Sequence, residues 1–314
     1  MLKRVPVADV STLWSVMRMP TNLLEMIALG LLGSAALGLP ANAENRRLSP
    51  PVQSSPLEIG VRHVIASKAL EENRIVNVVL PSSYRVSTTR RYPVLYVIDG
   101  GIQQDLLHVA GAVWLGAMWG RSEEAIVVGI ETKDRRKELV GPTTDTELLK
   151  RYPTAGSSAK FRQYIRDEVK PLVERLYRTS GRDVVLGESL AGLFIVETYL
   201  TDPAVFDGYG AVDPSLWWDK GALSKEAVTR MGDDQKGRAL LVAAAKEQLA
   251  DSESYNTLLS SIRSAGGSPC VIPRPDQTHA TVYQQVTPPV LQYLLPTKDA
   301  VSDEFGFVVT CVTH

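Results

Sequence analysis

Downstream of a Pro- and Ser-rich stretch at 45–56, the chain opens with two strand-like runs, 58–68 and 72–80, joined by a tight turn at Glu71–Asn73. The second is dense in β-branched residues (Ile75, Val76, Val78, Val79) and stops at Pro81. Next comes 92–99, a continuous apolar run of the kind that marks a strand buried on both faces. Gly100 and Gly101 end it, and 103–118 follow with helical spacing. The alternation then repeats: strand 125–130, amphipathic helix 160–177, strand 183–186, helix 190–200. Strands 208–212 and 239–245 are followed by helical stretches near 221–231 and 251–264. A short last strand, 271–273, is flanked by prolines, which predicts a sheet edge; 280–294 is a final helix. Regular β-α alternation after an opening hairpin predicts an α/β architecture, a mostly parallel central sheet with helices on both faces and an N-terminal antiparallel hairpin. One domain, 58–296, accommodates all of it, with a C-terminal tail at 297–314.

Composition narrows the class. The 314 residues are 44% apolar and 22% charged, with a formal net charge of -1. That is enough for one sizeable core, and no clustered Lys/Arg stripe exists to neutralise a nucleic-acid backbone. At the start, Lys3, Arg4 and Arg18 precede a run of apolar or small residues from 27 to 39, then Pro40 and Ala41-Asn42-Ala43. This fits a secretory leader over 1–43, followed by a linker at 44–57, and predicts an exported protein, periplasmic or secreted. The run is short for a bilayer span, so no stable membrane insertion is expected after cleavage. The two cysteines, Cys270 and Cys311, have no metal spacing; in an oxidising compartment they could form a disulfide.

The chemistry concentrates at Gly187-Glu188-Ser189-Leu190-Ala191-Gly192, directly after one strand and before a helix. A serine on a sharp strand-to-helix turn has strained backbone angles and needs small neighbours, which Gly187, Ala191 and Gly192 supply. Ser189 is therefore the candidate nucleophile. On such a turn the acid and the histidine follow in chain order. Of the four histidines, His63 falls in the hairpin, His108 on the first helix and His314 at the terminus. Only His279 follows the last strand in a loop, and it is the candidate base. For the acid, Glu247 is the first carboxylate after strand 239–245 and the preferred reading; Asp251 is next, and Asp213, at the end of the preceding strand, is a third. The backbone N–H of Leu190 and one from Gly101 or Ile102 would form an oxyanion hole.

These residues resemble the esterase family of the α/β-hydrolase superfamily that includes enterobactin-type siderophore esterases, feruloyl esterases and esterase D. Four blocks carry the resemblance: 92–100; Arg135-Arg136-Lys137-Glu138-Leu139 with Gly141-Pro142; 160–179; and Gly187-Glu188-Ser189 running on to Asp213-Pro214-Ser215-Leu216-Trp217-Trp218. Ala191 replaces the family's usual glycine, and Val140 stands where a threonine is common. The resemblance implies a serine ester hydrolase of the α/β-hydrolase fold acting on a small-molecule ester, with no metal or organic cofactor. In the siderophore branch, which includes periplasmic enzymes, the acid is weak or absent and a Ser–His pair does much of the work. Similar proteins place an arginine near the site, here Arg135 or Arg136, to hold a carboxylate or catecholate oxygen. Trp217 and Trp218 would line an acyl pocket. Acyl transfer, as in the mycolyltransferases of the same superfamily, and a non-catalytic binding role are the competing readings.

Overall fold

A computed structural model describes residues 54–235, 237–251, 253–299 and 308–312. The expected leader, most of the linker, part of the tail and His314 lie outside the described residues. The unit that begins at Leu57 carries every element below.

The opening runs form the predicted hairpin, β1 (Val61–Ser67) and β2 (Glu72–Val79), paired antiparallel. β3 (Tyr92–Ile98) leads to α1 (Leu106–Met118) and β4 (Ile126–Ile130). Two short helices that carry no clear sequence periodicity follow, α2 (Arg135–Glu138) and α3 (Thr146–Arg151). The helix expected at 160–177 is α4 (Ser158–Tyr164), a π-helical stretch Ile165–Val169, and α5 (Lys170–Leu176). Pro171 falls where the π-helical stretch passes into α5, inside continuous helical backbone, and supplies no N–H to the ladder there. β5 (Thr179–Glu188), α6 (Leu190–Thr201) and β6 (Gly208–Val212) come next. The helical stretch near 221–231 breaks into α7 (Ala222–Lys225) and α8 (Ala227–Arg230). The chain continues with β7 (Ala239–Ala245), α9 (Lys246–Ala250), α10 (Glu253–Ser264), β8 (Cys270–Arg274) and α11 (His279–Leu294).

The eight strands form one sheet in the order β1-β2-β4-β3-β5-β6-β7-β8. β1 and β2 are antiparallel additions; β4-β3-β5-β6-β7-β8 are all parallel. β8 is the edge, as its prolines predict, and it is covered: Val312 bridges Val271, and Cys270 and Cys311 form a disulfide. Every residue of β3, β4 and β6 is buried, which is why these strands lack polar alternation. On β3, Val94, Tyr96 and Ile98 join the core under α4 and α6, while Leu95 and Val97 join the one under α1 and α11. Helices therefore cover both faces.

The chain enters at β3, steps out to β4, then crosses back over β3 to β5. Strand order reverses between β3 and β5, and in open parallel sheets the crevice outside the carboxyl ends at such a reversal is where sites form.

Candidate active site

Ser189 lies one residue past β5, at that reversal, with φ 62° and ψ -119°. Such a positive φ is strained for a residue with a Cβ and persists only where the surroundings enforce it. They do so here. Ser189 N–H donates to the Val212 carbonyl (3.0 Å), and its own carbonyl accepts from Leu193 (2.9 Å) and Ser215 (3.0 Å). A Cβ on Gly187 would stand 2.7 Å from Cβ of Ala191, and one on Gly192 would stand 3.0 Å from the Val212 oxygen. The turn closes only with small residues at both places. Two further non-glycine residues with positive φ, Asp99 (59°) and Asp213 (42°), follow the neighbouring strands β3 and β6. Strain thus gathers at three adjacent carboxyl ends.

His279 opens α11 at the first helical position, behind Thr278, whose side chain forms a reciprocal capping box with Thr281. Its ring Nδ1–H donates to Asp213 Oδ2 at 2.5 Å, and Asp213 is buried. That bond, followed by the nearby negative charges, raises the imidazole pKa above its ordinary value, against the opposing effect of burial. The expectation for Glu247 is corrected here. Its carboxylate accepts the backbone N–H of His279 (3.0 Å) and leaves the ring to Asp213. Both carboxylates line the cavity that Ser189 occupies, but the one that follows β6, beside β5, meets the ring, and Glu247, at the start of α9, meets the histidine backbone. Asp251 lines the same cavity but does not bond the imidazole. His63 pairs with Tyr177 (2.7 Å) and His108 with Thr287 (2.9 Å), both away from the crevice.

Ser189 Oγ faces Ser215 Oγ at 3.2 Å rather than the imidazole, while Ser189, Asp213, Ser215 and His279 line one cavity of about 510 Å³. Leu190, first residue of α6, also lines it, and its N–H is one of the donors a helix start leaves without an intrahelical partner. Gly101 departs from expectation. Its N–H donates to Gln104 Oε1 (2.9 Å), whose amide is in turn held by Thr132 (3.1 Å), so that donor points into its own loop.

Arg135 and Arg136 reach the cavity from α2. Asp134 caps this one-turn helix by accepting from the N–H groups of Arg136 and Lys137, and buried Glu138 is gripped by both guanidinium nitrogens of Arg74 on β2 (2.7 and 2.8 Å). Removing one partner of such a buried pair costs about 3–5 kcal/mol, so α2 is firmly tied to the sheet. Arg135 extends to Asp99 Oδ2 (2.8 Å), and Thr132 donates to the other oxygen of that buried carboxylate. Arg136 stacks over Tyr152 at 4.8 Å. The two tryptophans part ways: Trp217 is 55% exposed at the cavity rim, whereas Trp218 is buried and packs on Tyr152. On the other side of Ser189 and His279, a recess of about 290 Å³ is walled by Asp99, Gln104, Asp105, Arg135 and Glu188. Burial, then Asp99, pushes Asp105 up to about 6, and burial pushes Glu188 up to about 7. Among the described residues no group of three or more His, Cys, Asp or Glu side chains could hold a metal ion.

Residues 67–260 match the model of the family described as "Putative esterase". The chain belongs to that family, and its strained serine, parallel sheet and antiparallel hairpin place it in the α/β-hydrolase superfamily. It is similar to the ferri-bacillibactin esterase BesA of Bacillus subtilis, at 28% identity over 177 residues, covering 49% of this chain and 58% of that one. A siderophore enterobactin esterase of Emericella nidulans is 37% identical over 75 residues, 23% of this chain and 25% of that one. The match thus spans little more than half of the first relative and a quarter of the second. Among solved structures, an IroE-like serine hydrolase from Shewanella oneidensis shares the fold, with a TM-score of 0.64, 23% identity, and 75% of this chain and 78% of that one covered.

Proposed function

We propose that the protein is a serine esterase in which Ser189 attacks the ester carbonyl, His279 is the general base and Asp213 orients the imidazole. The observation that carries this reading is the strained Ser189 elbow in one cavity with a histidine whose Nδ1–H is committed to a buried aspartate. Committing Nδ1–H to Asp213 leaves Nε2 as the free base. For attack, Ser189 Oγ leaves Ser215 and passes its proton to that nitrogen; contacts of this kind often tighten only when substrate is bound. The Oγ–carbonyl bond forms, and the Leu190 N–H supports the oxyanion. The imidazolium then protonates the departing alcohol. Water, deprotonated by the same nitrogen, cleaves the acyl-enzyme and returns Ser189 to its free form.

The substrate class we favour is a siderophore-type ester. Arg136 over Tyr152, with Arg135 and Trp217 at the rim, offers cationic and aromatic surface suited to catecholate or carboxylate oxygens on planar rings. The names of the two relatives point the same way. An exported location remains part of the proposal, supported by the leader-like N-terminus and by a disulfide of the kind an oxidising compartment sustains. The test is hydrolysis of a catecholate trilactone and of p-nitrophenyl butyrate by wild type and Ser189→Ala. Wild type should cleave both and prefer the lactone, and the variant should be inactive with an unchanged circular-dichroism spectrum. Activity of Ser189→Ala within tenfold of wild type would contradict the mechanism, and preference for the simple ester would contradict the substrate class.

A further inference from the structure

Four consecutive residues at the end of β7 and the start of α9 reach both members of the Asp213–His279 pair. Ala245 N–H donates to Asp213 Oδ1 at 2.8 Å. Lys246 N–H donates to the carbonyl of Gln277, in the loop before His279, at 2.9 Å. Glu247 Oε2 accepts the His279 N–H at 3.0 Å. Gln248, with its amide nitrogen turned toward them, donates to Asp213 Oδ1 and to the Pro214 carbonyl, 3.0 Å each. Asp213 Oδ1 thereby receives two donors, and Oδ2 is left for the imidazole. Within α9, Leu249 packs against the core, while the exposed Glu247 and half-buried Gln248 turn to the Asp213–His279 pair.

We infer that Ala245–Gln248 is a positioning clip: Glu247 fixes the base through its backbone and Gln248 fixes the acid through its free oxygen. This rests on the serine-esterase reading above. The clip ties two loops from different strands to one short segment, so the backbone of His279 and the carboxylate of Asp213 keep a fixed separation across which the ring bond forms. Glu247 also acts by charge. The groups facing His279 are Asp213 after β6, Glu188 at the end of β5 and Glu247 on α9, and each favours the imidazolium; on the Glu188 side, Asp105 adds to the negative field and Arg135 opposes it. An amide at position 247 would keep an acceptor for the backbone N–H while removing one charge.

The test is the pH dependence of kcat and KM on p-nitrophenyl butyrate for wild type, Glu247→Gln, Glu247→Ala and Gln248→Ala, with thermal melts to check folding. Misplacing the base should lower kcat of Glu247→Ala on the order of tenfold while KM stays near wild type. Glu247→Gln should recover most of that loss, with the acid limb of its kcat profile moved to lower pH, because the base loses a charge that favoured its protonated form. Gln248→Ala should lower kcat and leave that limb in place. Unchanged kcat in Glu247→Ala, or a rise in KM alone in either alanine variant, would overturn the clip; the latter would make these residues substrate contacts. Should Glu247→Ala not fold, an unmoved acid limb in Glu247→Gln overturns it equally. Wild type that hydrolyses ester while Ser189→Ala does not separates failure of the clip from failure of the esterase reading; an inactive wild type removes both.

Discussion

At the scale of single residues, the site depends on three side chains whose backbones a random coil rarely adopts: Asp99, Ser189 and Asp213, all with positive φ. All three follow strand ends at one crevice, where Asp213 bonds the His279 ring and Ser189 Oγ faces Ser215. Asp213→Asn should keep the fold but leave the imidazole facing an amide that cannot favour the Nδ1–H tautomer. By analogy with triad hydrolases in general, kcat at neutral pH should fall on the order of 10³–10⁴-fold. A loss below about tenfold in steady-state assays would return the acid to another carboxylate. Glu188 makes a second, independent prediction. Its carboxyl rises from 4.5 to about 7 because burial penalises the charge. A carboxyl with a higher pKa folded than unfolded favours the fold while protonated, and that contribution is lost as pH rises through the folded value. Glu188→Gln should therefore melt higher than wild type at about pH 8, with the gain fading toward about pH 4. An equal gain at both values would show that charge burial is not the cause. Spacing and chain order single out Ser189 and His279 as candidates, and the fold brings both to one cavity. Asp213 was named only third, because the φ that swings its carboxylate to the imidazole leaves no trace in composition. Gly101 read as an oxyanion donor because its Gly-Gly context permits that turn; the side chain of Gln104, three residues on, takes its N–H instead.

At the scale of elements, strands were legible where burial on both faces writes a continuous apolar run, as in β3, β6 and β7. Helices were legible where they span several turns. α2 and α3, of four and six residues, are too short for a period of 3.6 to repeat, and α2 is placed by Asp134 and the Arg74–Glu138 pair. That is why the arginine neighbourhood came from resemblance rather than from pattern. The edge strand shows another tertiary effect. Val312 bridges Val271 of β8, and the Cys270–Cys311 disulfide closes a sequence separation of 41 residues. Loop-closure entropy for that length gives about 4 kcal/mol of stabilisation. Cys311→Ser should lower the unfolding free energy by up to this amount in urea titration, and an unchanged midpoint would mean that the bridge constrains nothing.

At the scale of the whole molecule, the reversal of strand order puts the ends of β3, β5 and β6 side by side, so residues 99, 189 and 213, distant in sequence, meet at one crevice. α11 brings His279 to it from beyond the edge strand, and α2 brings the arginines from the opposite direction. The sequence conveys the order of elements and hence the edge on which the crevice forms. It does not convey that the crevice has an arginine- and aromatic-lined side and an acid-lined side, because those walls come from short helices and loop ends. The most direct test of an activated serine at this reversal is peptide mapping of wild type after reaction with a fluorophosphonate. A single adduct is expected on the peptide carrying Ser189, formed more slowly in Asp213→Asn. No adduct, or an adduct on another residue, would contradict the assignment of Ser189.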